Sequence, residues 1–186
     1  MTVEEIFSQL AAHMIKGLMI HSQMSDYFGF LGLKGYQECH KYHYFEENAN
    51  YRAINKYYLY HYNKLIPETR IDNPNIIPDS WYRYTRQDVN STTRKNAIEN
   101  GFNEWINWEK DTKKLYEQMY NELLSIGEVC AAYQIGKCID DVDNELAYAE
   151  QKVLELKSID YDIGIIIEEQ KQVEKECKKK LKEIEL

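Results

Sequence analysis

The sequence predicts an all-α fold: an antiparallel four-helix bundle with one long crossover between its second and third helices, followed by a C-terminal helix. Three observations predict it. Apolar residues recur at alternating spacings of three and four along four long segments, the period of a helix buried on one face. The first and last pairs of these segments are joined by short glycine turns, which make each pair antiparallel neighbours. The 3 prolines of the 186-residue chain all fall between residues 67 and 78, in a stretch without helical period.

The first helix is expected from about Thr2 to Leu31. Thr2 followed by Glu5 fits a capping box. Ile6, Leu10, His13, Gly17, Ile20, Met24, Tyr27 and Leu31 form one stripe, and Phe7, Met14, His21 and Phe28 widen it. A stripe this broad suits a helix covered by two neighbours. Gly32-Leu33-Lys34-Gly35 is a turn, and the second helix is expected over Tyr36 to Ile66. Its inner stripe reads Tyr36, His40, His43, Glu47, Asn50, Ile54, Tyr57 and His61, which is unusually polar for a core seam. Tyr44, Tyr51, Tyr58 and Leu65 run beside it as a second, aromatic stripe.

Residues 67 to about 90 hold Pro67, Pro74 and Pro78. A connection of this length is uncommon in a compact domain, and it can cross a bundle from end to end. It therefore sets the third helix parallel to the second. Asn90 or Ser91 can cap that helix. Its stripe is Ile98, Phe102, Trp105, Glu109, Thr112, Tyr116, Met119, Leu123 and Ile126, with Glu109 as the one charge. Gly127 marks a tight turn. The fourth helix carries Ala132, Ile135, Ile139, Val142, Leu146, Ala149, Val153 and Leu156. A break near Asp160 to Gly164 separates a highly charged fifth helix ending at Leu186. The expected organisation is a bundle over residues 1–158 and a C-terminal helix over 159–186.

Composition narrows the function. The formal net charge of −8 disfavours nucleic acid and anionic membranes as partners. The basic run Lys178-Lys179-Lys180-Leu181-Lys182 lies among Glu174, Glu176, Glu183 and Glu185 and suits a solvated helix face. No apolar run is long enough to span a bilayer. Glu4 and Glu5 stand where a secretory leader has its basic region, and the 4 cysteines show no CxxC spacing. A reduced, cytoplasmic protein is expected. The 16 tyrosines point to wide helix faces packed with amphipathic rings, some at subunit contacts.

The chemistry lies in the polar residues of the apolar stripes. A carboxylate inside a bundle is costly unless it is paired, hydrogen-bonded or bound to metal. Glu109 and Glu145 lie equally far before and after Gly127, so an antiparallel hairpin puts them at one height. Asp143 shares with Glu145 a claim to face inward. Glu47 and Asn50 share a face of the second helix. Counting outward from the first turn places His21 near the height of Glu46 and Glu47, with His43 one turn nearer. His21, His43 and Glu47 can therefore hold one metal ion. Oxygen ligands from several helices, completed by imidazole, are what iron or a similar divalent metal needs.

Over roughly residues 5 to 155 the chain resembles the ferritin-like superfamily. Gly32-Leu33-Lys34-Gly35-Tyr36 looks like the turn between the first two ferritin helices. Glu46-Glu47-Asn48-Ala49-Asn50 falls where that family has its ExxH pair, Trp108-Glu109-Lys110 looks like its third-helix LEK segment, and Asn144-Glu145-Leu146 falls near its fourth-helix EQ segment. Two positions depart. Asn50 replaces the histidine ligand, and the first-helix glutamate expected near Met14 is absent.

The resemblance implies a metal site drawn from Glu47, Glu109, Glu145 and Asn50, with His13, His21 or His43 as the nitrogen source. It implies oxidation of Fe(II) by O₂ or peroxide, leading to iron storage or protection against oxidative stress, in a closed homo-oligomer. The departures support the alternative of a non-enzymatic interaction protein on the same scaffold with a vestigial site.

Overall fold

The computed structural model describes residues 1–67 and 90–184. Five helices follow in order: α1 (Val3–Phe30), α2 (Lys34–Tyr62), α3 (Ser91–Ser125), α4 (Val129–Ser158) and α5 (Ile163–Ile184). The all-α, four-helix-bundle expectation holds. The expected crossover over about 67–90, and the last two residues of the expected fifth helix, lie outside the described residues.

The helix ends have local causes. Thr2 Oγ1 accepts the Glu5 amide at 3.2 Å, and Glu5 Oε2 accepts the Thr2 amide at 2.8 Å, completing the capping box. At the start of α3 the cap is Asn90, whose Oδ1 accepts from the Thr93 amide at 2.9 Å. The two hairpin turns pass through left-handed backbone at Gly32 (φ 79°) and Gly127 (φ 83°), where a side chain would be strained. Helix α2 stops at Tyr62, four residues short of the expected end, because Asn63 turns left-handed at φ 53°. Asp160 and Tyr161 do the same after α4, and the Asp162 carboxylate then accepts the Ile165 amide at 3.0 Å to start α5.

Three rungs fix the direction of α3 against α1. The Met1 amino group meets Glu122, His13 meets Thr112, and the Tyr27 hydroxyl donates to the Ala97 carbonyl. Numbers fall on one helix as they rise on the other, so the pair is antiparallel. Since α1 and α2 form a hairpin, α2 and α3 run parallel, as a single long crossover requires. Helix α5 lies on α2 in parallel. The Gly35 amide donates to Gln170 Oε1 at 2.9 Å, and the Lys180 ammonium sits 4.9 Å over the Tyr42 ring. Gly35 permits this approach, because a Cβ there would lie 2.1 Å from the Gln170 carbonyl oxygen.

The buried apolar side chains form two clusters. One, around Met24, Phe28, Tyr36, Phe102, Trp105, Ala149 and Leu156, also takes in Ile166, Val173 and Cys177 of α5. The other, at the opposite end, gathers Phe7, Leu10, Met14, Tyr58, Tyr116, Met119 and Ile135. Each bundle helix changes cluster at one level: between Met14 and Ile20, Cys39 and Ile54, Trp108 and Tyr116, and Val142 and Ala149. The polar side chains His40, His43, Glu47, Glu109 and Thr112 fall in this waist, and all are buried.

Candidate metal centre at the waist of the bundle

Four helices supply the waist. From α3, Glu109 points inward because it continues the stripe Phe102–Trp105. It is 2% exposed, and Trp105 Nε1 donates to its Oε1 at 2.9 Å. From α1, His21 brings Nε2 to within 3.8 Å of the same oxygen. From α4, Glu145 meets them across the last hairpin. One ligand atom each from His21, Glu109 and Glu145 lies within 4.8 Å of the others.

A second group shares Glu145. His43 Nδ1 bonds Glu46 Oε2 at 3.2 Å, and Glu145 Oε2 lies 3.1 Å from the same nitrogen as a close ion pair without a directed hydrogen bond. Their ligand atoms also fall within 4.8 Å of one another. Glu145 thus stands between the two groups, and the His21 and His43 rings are 5.4 Å apart.

Glu47 lies beside both. Its carboxylate rests against Gly17 of α1, where a Cβ would sit 3.2 Å from Glu47 Oε1 and 3.4 Å from the Trp108 ring. The Oε2 atom is buried without a hydrogen-bond partner. Gly17 explains how α1 contributes no carboxylate at this level: the space is filled from α2 instead. Met14, where a first-helix acid was expected, is 1% exposed and belongs to the apolar cluster one turn away.

The electrostatics are those of crowded acids in a dry place. Burial, then the charges of Glu145 and Glu46, push Glu47 up to about 8. Burial and the neighbouring Glu145 and Glu47 raise Glu109 well above the usual carboxylate range. Burial holds His21 and His40 well below the ordinary imidazole value. Burial also opposes charge on His43, but the Glu145 and Glu46 carboxylates outweigh it and raise that imidazole to about 10.

Two expected participants lie elsewhere. Asn50 is half-buried beside Asp141 of α4, outside both groups. His13 stacks on Trp108 with centroids 4.5 Å apart, and its Nε2 pairs with Thr112 Oγ1 at 2.8 Å. It packs rather than converges. Asp143, the rival of Glu145, is exposed and pairs with Lys113 at 2.6 Å. Two residues not singled out as site residues in the sequence take part. Glu46 follows from its spacing of three after His43, a neighbour relation on any helix. His40 carried the same signal, three before His43 on the polar inner stripe. Its Nδ1 meets His21 Nδ1 at 3.2 Å, its ring stacks on Phe28, and its Nε2 is buried without a partner.

The donor set fits a divalent metal. Carboxylate oxygens and imidazole nitrogens together suit iron, manganese or zinc better than calcium, and the unpartnered Glu47 oxygen is a vacant acceptor beside them. His21 can present Nε2 to an ion while its Nδ1–H is oriented by His40, the outer-shell arrangement that ligating imidazoles need.

Two antiparallel hairpins, a parallel second and third helix, and a carboxylate-rich waist define a ferritin-like bundle, and that is the fold of this chain. The protein is similar to the open pore ferritin of the hyperthermophilic archaeon Archaeoglobus fulgidus, with a TM-score of 0.73 and 14% identity over 92% of this chain and 94% of that one. An engineered closed form of the same ferritin matches with a TM-score of 0.74 and 14% identity, covering 94% of this chain and 96% of the other. No family model and no curated protein matches the sequence. At such low identity the likeness is one of fold.

Proposed function

We propose that this protein binds iron or a similar divalent metal in the waist of its bundle, with Fe(II) oxidised by O₂ or peroxide in the service of iron storage or protection against oxidative stress. The observation that carries this is the convergence of two His–carboxylate groups on Glu145, beside a buried Glu47 carboxyl with a free oxygen. In the metal-free protein the acids are held by protons, by the Trp105 N–H and by the His43 imidazolium. Glu47, Glu109 and Glu145 would hold a divalent ion in place of those protons, and its charge would relieve the repulsion among them. His21 and Glu109 would hold it on the inner side, His43 and Glu46 on the side toward α5, with Glu145 common to both groups. Trp105 and His40 orient the ligands, and the two apolar clusters keep bulk water from both ends.

A cytoplasmic homo-oligomer belongs to the same proposal. Met19, Tyr44, Leu59 and Tyr60 are exposed on α1 and α2, with Tyr60 at 77%. They supply apolar and aromatic surface for contacts between copies. Among the described residues, no helix is long and apolar enough to cross a membrane.

The test is metal analysis and anaerobic Fe(II) titration of protein purified without chelator, monitored by calorimetry, followed by exposure to O₂ with absorbance detection of Fe(III). Stoichiometric binding that Glu145→Gln weakens in both groups is expected. A chain that takes up no Fe(II), Mn(II) or Zn(II) sinks the proposal. One observation favours the non-enzymatic alternative: the Trp105 N–H already satisfies Glu109 Oε1, as a structural acid requires. Binding without oxidation would select that alternative.

A further inference from the structure

Helix α5 brings a second reactive group to the bundle. Cys39 of α2 and Cys177 of α5 are both free thiols, are 4% and 7% exposed, and belong to one buried cluster across the helix pair, in the register that sets Lys180 over Tyr42. This register is built by the fold, since Gly35 lets the α5 backbone approach α2 one turn before Cys39. Both cysteines line a cavity of about 430 Å³ between α2, α4 and α5, whose wall also includes His43, Glu46 and Glu145. A small oxidant entering that cavity meets a thiol pair. The remaining cysteines differ: Cys130 is exposed, and Cys138 is buried in the other cluster.

We propose that Cys39 and Cys177 form a dithiol site that peroxide oxidises to an intramolecular disulfide, fastening α5 to α2 over the cavity that leads to the His43 group. The Cys177 sulfur attacks one peroxide oxygen, the O–O bond breaks, and the departing hydroxide takes a proton to leave as water. Cys177 is then a sulfenic acid. The Cys39 sulfur displaces hydroxide from it, the S–S bond forms, and the Cys39 proton goes to the second water. Two thiols supply the two electrons that reduce one peroxide. The order of attack follows from exposure, Cys177 being the more accessible of the two, and from the opposite shifts of the pair. The neighbouring Cys39 lowers the Cys177 thiol below its ordinary value, and Cys177 together with burial raises that of Cys39. The proposal is independent of metal binding at the waist.

The full-length protein, reduced and freed of reductant, is treated with hydrogen peroxide. The expected result is loss of two of the four thiols, restored by dithiothreitol, with a peptide containing Cys39 joined to one containing Cys177. Cys39→Ser and Cys177→Ser each abolish that joined peptide, and Cys130→Ser leaves it unchanged. Cys177 lies toward the edge of the fold, so its variant carries the test if Cys39→Ser fails to fold. Oxidation is also expected to slow proteolysis within residues 163–184 by at least about tenfold. Loss of Cys130 alone, sulfinic acid without a joined peptide, or unchanged proteolysis of α5 after oxidation overturns the proposal.

Discussion

Single residues show how the waist balances burial against charge. Burial and two neighbouring carboxylates raise Glu109 well above the usual carboxylate range, which favours its neutral form in the metal-free protein. A neutral amide therefore mimics it, and its Trp105 partner keeps an acceptor. Glu109→Gln is expected to change thermal stability of the metal-free chain by no more than about 1 kcal/mol. Divalent-metal affinity should fall by more than about tenfold, the range lost even for groups that only orient ligands. Calorimetric metal titration alongside a melt reads both, and unchanged affinity would remove Glu109 from the site. His13 makes the contrasting case. Burial, then Lys16, lowers its imidazole from 6.5 to about 4. Between those values the unfolded chain binds a proton that the folded chain does not, so stability falls as pH drops through that interval. The loss is expected to reach about 2 kcal/mol, discounted for partial exposure. His13→Gln, melted across the same pH range, should show a shallower slope.

At the scale of elements, much was legible because helix period and turn chemistry are local. The capping box at Thr2, the Gly32 and Gly127 turns and the polar seam of α2 all follow from neighbours a few residues apart. What was not legible is how far a helix runs before a long-range contact or a left-handed residue stops it, as at Asn63. The seat of α5 was illegible too. It depends on Gly35 meeting Gln170, far apart in sequence. Gly35→Ala should push α5 off α2 at a cost of about 1–3 kcal/mol. Hydrogen exchange checks it: amides of α5 should exchange faster while those of α1 between Ile6 and Met14 keep their protection. Phe102→Ala, in the cluster that α5 shares, should lower stability by about 3–5 kcal/mol, measured by denaturant unfolding.

For the whole molecule, the crowded waist couples stability to pH and to metal. Glu47 sits at about 8 when folded against an ordinary carboxylate value of 4.5. Between those values the folded state holds the proton and the unfolded chain does not, so this group's stabilising contribution is full at low pH and lost as pH rises toward 8. A divalent ion needs the ionised carboxylate, so its affinity should rise over the same interval and offset the loss. Melts of metal-free and metal-loaded protein at several pH values test this. The gap between the two melting temperatures should widen from about pH 6 to about pH 8. A constant gap would mean that Glu47 takes no part.

By itself the sequence determined the all-α class, the two hairpins and the common height of Glu109 and Glu145. Each rests on a period, a glycine or an equal count from a turn, which local chemistry imposes. Only the tertiary structure decided which polar residues converge. It turned Asn50 toward Asp141 and Asp143 toward Lys113, stacked His13 on Trp108, and drew Glu46 to His43 beside Glu145. The physical reason is rotation about the helix axis. Residues three or four apart share a face, but which face meets the waist depends on how four helices and α5 pack together.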